Sequence, residues 1–303
     1  MPPFGAWRAA LDAALAAVHD ARVTVVIGAS DAGKTTLVAA LASELAARGE
    51  RVGVVDSDVG QSEIGPPATV GLGRITARVT RLSEAELIAF QFVGVSSPAR
   101  DIPGVVEAAR RMVDRARAER FERVLVDTSG LVLGWPGHRL KQEKIEAVDP
   151  DLLLFLERRD ECAPIADRYA GASRPRVLRL PAQGRPGSRS QIVRRQHRIE
   201  ALDAYLRDAR SVSVARSAVE LPRGLQWTDV VVGLCGLDDA DGNTIALGLV
   251  EEVAHDTLQV LAPLPRSARV TRARVGRERP DETPLASAPA RRASTPAGDE
   301  RDR

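Results

Sequence analysis

Val23-Thr24-Val25-Val26-Ile27 runs directly into Gly28-Ala29-Ser30-Asp31-Ala32-Gly33-Lys34-Thr35-Thr36. The first five residues read as a buried strand, and a helical pattern follows from Thr36 to Arg48, ending at Gly49. Between them, residues 28–35 fit G-x-x-x-x-G-K-[ST] at every fixed position. The spacing has a physical reason. Glycines let the backbone curl so that several N–H groups and a helix N-terminus converge on one set of phosphates. In such a loop Lys34 reaches the β/γ oxygens and the Thr35 hydroxyl helps hold Mg²⁺. The whole run from Gly28 to Thr36, including Ala29, Ser30, Asp31, Ala32 and Gly33, is therefore expected to cradle a nucleoside triphosphate.

Outward from this loop, strands alternate with helices. A short amphipathic helix precedes it, with Trp7, Leu11, Leu15 and Val18 on one face. After it come a strand at 52–55, a Gly/Pro-rich stretch at 60–73, a strand near 89–93 and a helix at 103–119. A strand at 123–126, a helix near 140–147 and a strand at 152–156 complete the series. The strands are nearly continuous in apolar residues, which predicts an α/β fold of the P-loop type: a parallel sheet with helices on both faces. Past residue 210 the pattern changes to short strands at 230–236, 244–253, 258–261 and 270–275, with Asp241-Gly242 as a hairpin turn. The expected organisation is a P-loop domain over 1–210, a small antiparallel β module over 211–276, and a disordered tail over 277–303.

The 303 residues carry 43 Lys+Arg against 41 Asp+Glu and are 44% hydrophobic, ordinary values for a globular chain. The longest apolar runs, such as Leu152 to Leu156, fall far short of the roughly 20 residues of a membrane span. Cys162 and Cys235 stand in no metal-binding spacing, so a structural zinc site is excluded and a cytoplasmic location is expected. Two biases are informative. Residues 158–216 hold 14 Arg against 6 Asp+Glu, which suits a polyanionic ligand. Only three lysines occur, Lys34, Lys141 and Lys144, so 40 of the 43 basic residues are arginine.

The strand at 52–55 ends in Asp56-Ser57-Asp58-Val59-Gly60-Gln61, and the strand at 123–126 ends in Asp127-Thr128-Ser129-Gly130. Carboxylates just past the C-terminal ends of parallel strands lie on the ligand edge of such a sheet. Asp56 and Asp58 are candidates for the Mg²⁺ shell with Thr35, and one of them for orienting a hydroxyl nucleophile. The guanine-specifying N-K-x-D is absent, which weakens a GTPase reading.

Taken in order, the loop at 28–36, the D-x-D-x-G-Q of 56–61, Phe92-Val93-Gly94-Val95-Ser96-Ser97-Pro98, the turn at 127–130 and Arg189-Ser190-x-x-x-Arg194-Arg195-x-x-Arg198 resemble the polynucleotide 5′-hydroxyl kinase family. These are the P-loop kinases related to the RNA kinase subunit of pre-mRNA cleavage factors and to the ribosomal-RNA-processing kinases. The resemblance covers roughly residues 5–210. It implies an ATP- and Mg²⁺-dependent transfer of the γ-phosphate to the 5′-OH end of RNA or DNA. In that reading Lys34 is catalytic, Asp58 activates the hydroxyl, and Arg189 and Arg194 close a lid over the transferring phosphoryl group. Gln61, Ser96, Thr128 and Gly130 would contact the nucleic-acid end. The alternatives are a non-catalytic ATP-bound scaffold in an RNA-processing complex and a P-loop regulatory NTPase.

One departure stands out: several family members carry Trp after the T-x-G of the turn, where this chain has Leu131, and Trp135 lies four residues on. Arg174, Arg176 and Arg179 are candidates for non-specific contacts to the substrate backbone. His138, Lys141 and Lys144 read as loop and helix surface.

If Lys34 acts as a point charge on phosphate, Lys34→Ala should lower phosphoryl transfer by at least ~100-fold with the fold kept. Circular dichroism and a γ-phosphate transfer assay on the same preparation check this.

Overall fold

The computed structural model describes residues 4–182 and 191–279. Chain order begins α1 (Phe4–Val18), β1 (Val23–Gly28), α2 (Lys34–Ala47), β2 (Val52–Ser57), β3 (Thr69–Ile75) and β4 (Glu86–Phe92). It continues α3 (Ile102–Ala118), β5 (Arg123–Thr128), α4 (Gly134–Val148), β6 (Leu152–Glu157), α5 (Ala163–Ala166), β7 (Arg176–Pro181) and α6 (Gln191–Tyr205). The remaining strands are β8 (Arg210–Ala215), β9 (Val219–Glu220), β10 (Leu234–Asp238), β11 (Thr244–Val253), β12 (Thr257–Ala262) and β13 (Arg272–Val275).

The first sheet has seven strands in the order β4-β3-β2-β5-β1-β6-β7. β1, β2 and β6 are buried along their whole length, as strands covered on both faces must be. Alternate residues of each strand serve opposite layers. Val26, Val54, Leu125 and Leu154 pack with Leu11 and Leu15 of α1 and Leu37 and Leu41 of α2. Val25, Ile27, Val55 and Phe155 pack with Val105 and Met112 of α3 and Leu140 and Ile145 of α4. The apolar stripe predicted for the N-terminal helix is thus a core face.

Two expectations need correction. The sheet is mixed rather than wholly parallel, because β3 pairs antiparallel with both β2 and β4. β3 lies in a stretch that reads as Gly/Pro loop. Its glycines make room for chain crossing above the strand: a Cβ on Gly71 would come within 2.0 Å of the Ile64 carbonyl oxygen, and one on Gly73 within 2.8 Å of the Ala85 Cβ. β7, unmarked by any apolar run, joins the far edge by pairing parallel with β6.

The second sheet has six strands in the order β8-β12-β11-β10-β13-β9, antiparallel except where β13 meets β9. Asp241-Gly242 turns the β10–β11 hairpin as expected, with Gly242 at φ 76°. A seam of Phe90, Phe92, Leu202, Leu206, Leu234, Leu247 and Leu249 joins the β4 edge, α6 and this second sheet. Buried Asp238 anchors the seam electrostatically. It accepts from Arg272 and Arg274, and Arg274 also donates to the Phe92 carbonyl and lies over the Phe92 ring. Most of the 277–303 tail, from residue 280 onward, lies outside the described residues. Among the described residues, no helix is long and apolar enough to cross a membrane.

Gly94 takes φ 80°, and its Cβ would sit 2.7 Å from the Gly276 Cα of the second sheet. Gly94→Ala combines left-handed strain with a backbone clash and should cost about 1–3 kcal/mol, read from urea unfolding midpoints.

Candidate active site

β1, β2 and β5 are neighbours in the sheet and end at one edge, so their terminal turns share one cleft. Its volume is about 260 Å³. Ser30, Gly33, Lys34, Thr35 and Thr36 form one wall, and Asp58, Gln61, Glu63 and Gly130 another. Thr80, Arg81 and Leu82 close the outer side, a contribution no sequence signal announced.

Local geometry explains the loop. Gly28 is glycine because a Cβ there would lie 2.4 Å from the Leu156 carbonyl oxygen of β6. Asp31 and Gly33 take φ 57° and 97°, which turns the chain into α2. Ala32 is fully buried beneath the loop. Lys34 Nζ donates to the Ala29 carbonyl at 2.9 Å, and Arg158 reaches from beyond β6 to donate to the Asp31 carbonyl at 2.6 Å. Gly130 presses so closely on Ser30 that a Cβ would lie 2.3 Å from the serine Oγ.

The carboxylates divide by environment. Asp56 and Asp127 are register partners on adjacent strands and are 2% exposed each. Asp56 Oδ2 accepts from the amides of Glu63 (2.6 Å) and Ile64 (3.1 Å), and Oδ1 from the amide of Asp58 (3.1 Å). Both oxygens already accept amides that fold the 58–64 turn, with which the metal or base role expected of Asp56 would compete. Burial, then the charges of Asp127 and Asp58, push its carboxyl above the usual range, while the Glu63 and Asp58 amides oppose this. Asp127 Oδ2 accepts from the Thr35 hydroxyl at 2.6 Å, and its Oδ1 is buried with no partner. Burial raises its carboxyl as well, with Lys34 and the Thr35 hydroxyl opposing. Asp58 is half-buried on the cleft wall, with Oδ1 accepting the Gly60 amide at 3.1 Å.

The other expected residues scatter. Gln61 and Gly130 line the cleft, whereas the Thr128 hydroxyl is buried and donates to the Val26 carbonyl at 2.8 Å rather than facing the cleft. Ser96 packs against Gly60 but lines a second, smaller pocket with Arg195 and Arg198, and its amide donates to Glu278. Arg189 lies outside the described residues, as does the side chain of Arg194, whose backbone is in α6. Arg174 pairs with Asp149 and Asp151, Arg179 with Glu157 and Asp160, and Arg176 donates to the Ala17 carbonyl. All three arginines thus have protein partners in the fold. Trp135 is 67% exposed, with Arg139 over its ring at 5.2 Å, and His138 is half-buried on α4.

The largest correction concerns two lysines. Lys141 and Lys144 are not surface residues; both are fully buried. Lys141 Nζ donates to the Ser129 carbonyl at 2.6 Å, and Lys144 Nζ to Ser57 Oγ at 2.7 Å. Burial pulls Lys144 down to about 8, against the attraction of Asp58, Asp127 and Asp56. Lys141 falls well below its ordinary value through burial and the neighbouring Lys144 and Lys34 charges. A signal existed in the sequence: a chain that otherwise uses arginine keeps lysine at three positions, and all three are buried in or beneath this cleft.

A family model described as "mRNA cleavage and polyadenylation factor CLP1 P-loop" matches residues 28–208. A polyribonucleotide 5′-hydroxyl-kinase of Pyrococcus furiosus is 38% identical over 189 residues, 62% of this chain and 52% of that protein. One of Methanocaldococcus jannaschii is 31% identical over 209 residues, 69% of this chain and 54% of that protein. The chain thus spans about half the length of the curated relatives it matches. The solved Clp1p–Pcf11p complex contains a chain of the same fold, with a TM-score of 0.70 at 12% identity, covering 91% of this chain and 79% of that one.

The pH dependence of stability follows from Lys144. Between about pH 8 and 10.5 the unfolded chain keeps a proton that the folded protein has shed, so this contribution to stability rises with pH. It is complete above the upper limit and absent below the lower. Relative to Lys144→Met, the wild type should gain on the order of 3 kcal/mol across that window, measured by urea unfolding at several pH values.

Proposed function

This chain belongs to the mRNA cleavage and polyadenylation factor CLP1 P-loop family, and on that premise we propose that it is an ATP-dependent polynucleotide 5′-hydroxyl kinase. It would transfer the γ-phosphate of ATP to the 5′-OH end of RNA, with DNA ends as the competing acceptor. The observation that carries the reading is the shared cleft. The phosphate loop, with Lys34 and Thr35, and the carboxylate of Asp58 line one cavity.

In this mechanism the curled backbone of 28–35 and Lys34 hold the phosphate chain and fix the γ-phosphoryl group. Asp58, its Oδ1 tied to the Gly60 amide, leaves Oδ2 to accept the hydrogen bond of the 5′-hydroxyl and take its proton. Arg189 and Arg194 remain proposed lid residues, and Gln61 and Gly130 remain proposed contacts to the acceptor end. Ser96 would act through the packed Gly60 turn.

Mg²⁺ fits this site through Thr35 and Asp127. The buried, unpartnered Asp127 Oδ1 lies beside the Thr35 hydroxyl, and both are hard oxygen donors. The ion would neutralise charge on the β- and γ-phosphates. The described residues hold no cluster of three His, Cys, Asp or Glu poised for a metal. That suits an ion bound through few protein ligands plus substrate phosphates. A cytoplasmic setting belongs to the same reading, supported by two buried, free cysteines.

The test is transfer of labelled γ-phosphate to 5′-OH RNA, single-stranded DNA and duplex ends, side by side. Asp58→Asn should lower the rate at least ~100-fold with ATP affinity within about 2-fold, the signature of a lost general base. Nucleotide binding without transfer by the wild type would favour the scaffold reading instead.

A further inference from the structure

Lys141 and Lys144 take no part in the mechanism above, and their burial demands an explanation. Removing an ammonium from water is costly unless its surroundings compensate. A core position on α4 facing the sheet would ordinarily take an aliphatic side chain. Three positions apart, both lysines lie on one face of the helix. Neither hydrogen-bonds a carboxylate. Lys144 Nζ meets Ser57 Oγ at 2.7 Å and the Ser57 carbonyl at 3.5 Å, while Lys141 Nζ meets the Ser129 carbonyl at 2.6 Å and Ser129 Oγ at 3.5 Å.

Those serines sit in telling places. Ser57 lies between Asp56 and Asp58, and Ser129 between Thr128 and Gly130. The Ser57 hydroxyl, accepting from Lys144, itself donates to the Asp127 carbonyl at 2.7 Å. A continuous chain of hydrogen bonds therefore runs from α4 through β2 to β5. Ser129 in turn precedes Gly130, whose backbone presses on Ser30 of the phosphate loop. Two buried lysine amines thus underlie the strand ends that carry Asp56, Asp58 and Asp127. A compact ammonium can enter so small a space between two oxygens, where the planar five-donor fork of arginine cannot. That accounts for lysine here in a chain with 40 arginines.

We infer that Lys141 and Lys144 are positioning residues: from one face of α4 they hold the Ser57-Asp58 and Ser129-Gly130 turns in the arrangement that sets Asp58 opposite the phosphate loop. The inference rests on the kinase reading for its catalytic consequence, but its structural claim stands apart. Lys144→Met and Lys141→Met remove each charge, and Ser57→Ala breaks the bridge while leaving both lysines in place. This last variant guards against a lysine substitution that fails to fold.

Two measurements on the full chain test it. In steady-state transfer to a 5′-OH oligoribonucleotide, kcat should fall at least ~10-fold in the lysine variants and several-fold in Ser57→Ala, with KM for ATP within about 2-fold. Amide hydrogen exchange should quicken by about 10-fold or more at residues 57–60 and 128–130 while β6 and α2 keep wild-type protection. Unchanged exchange at both turns overturns the inference. So does faster exchange spread evenly over the whole molecule, or a loss of ATP affinity equal to the loss of rate, since each marks a merely structural role. Absence of transfer by the wild type would sink the kinase reading alone, and the exchange measurement would still decide the role of the lysines.

Discussion

Asp56 and Asp127 are partners in the register of two adjacent parallel strands, so the sheet itself places two carboxylates side by side out of water. Like charges in a poorly solvated place repel one another and resist ionising. Much of the surrounding structure answers that constraint. The 58–64 turn curls so that three of its amides, at 58, 63 and 64, reach Asp56. Thr35 gives its hydroxyl to Asp127, which binds the first turn of α2 to the end of β5. From below, α4 contributes two lysine amines that hold the turns at Ser57 and Ser129. Phosphate loop, acidic turn and the 127–130 turn are thus tied to one electrostatic problem.

The same constraint separates residues that look equivalent. Asp56 and Asp58 are two apart and similar on paper, yet β2 ends at Ser57, so Asp56 stays buried within the sheet while Asp58 begins the turn beyond it and lines the cleft. One is consumed by backbone donors; the other keeps an oxygen available in the cleft. Asp127 shares its duties with Thr35 and retains a buried oxygen without a partner.

The second sheet is part of this arrangement. Thr244 accepts the Phe92 amide, Arg274 holds the Phe92 carbonyl, and Glu278 accepts the Ser96 amide. Gly276 meets Gly94 backbone to backbone. The β4 strand and the loop after it, which packs on Gly60 beside Asp58, therefore take their position partly from residues some 180 positions later in the chain.

Local signals were enough for the elements whose physics is local. The phosphate loop was legible because its glycines, lysine and threonine stand at fixed offsets set by backbone curvature around phosphate. The buried strands 23–28, 52–57, 123–128 and 152–157 were legible from their apolar runs, and the Asp241-Gly242 hairpin from its turn chemistry. The acidic strand ends were visible as motifs. What tertiary structure alone decided was direction and partnership. β3 was hidden because its glycines serve a crossing chain segment, a contact with no local signature. Thr128 turned inward because β1 offered a carbonyl, and Arg174 and Arg179 were claimed by acidic residues of neighbouring segments. Lys141 and Lys144 read as polar surface because a side chain's type reveals its cost of burial but not the compensating groups brought to it. Those groups, Ser57 and Ser129, lie 87 and 12 residues away, and only the folded sheet brings them to α4.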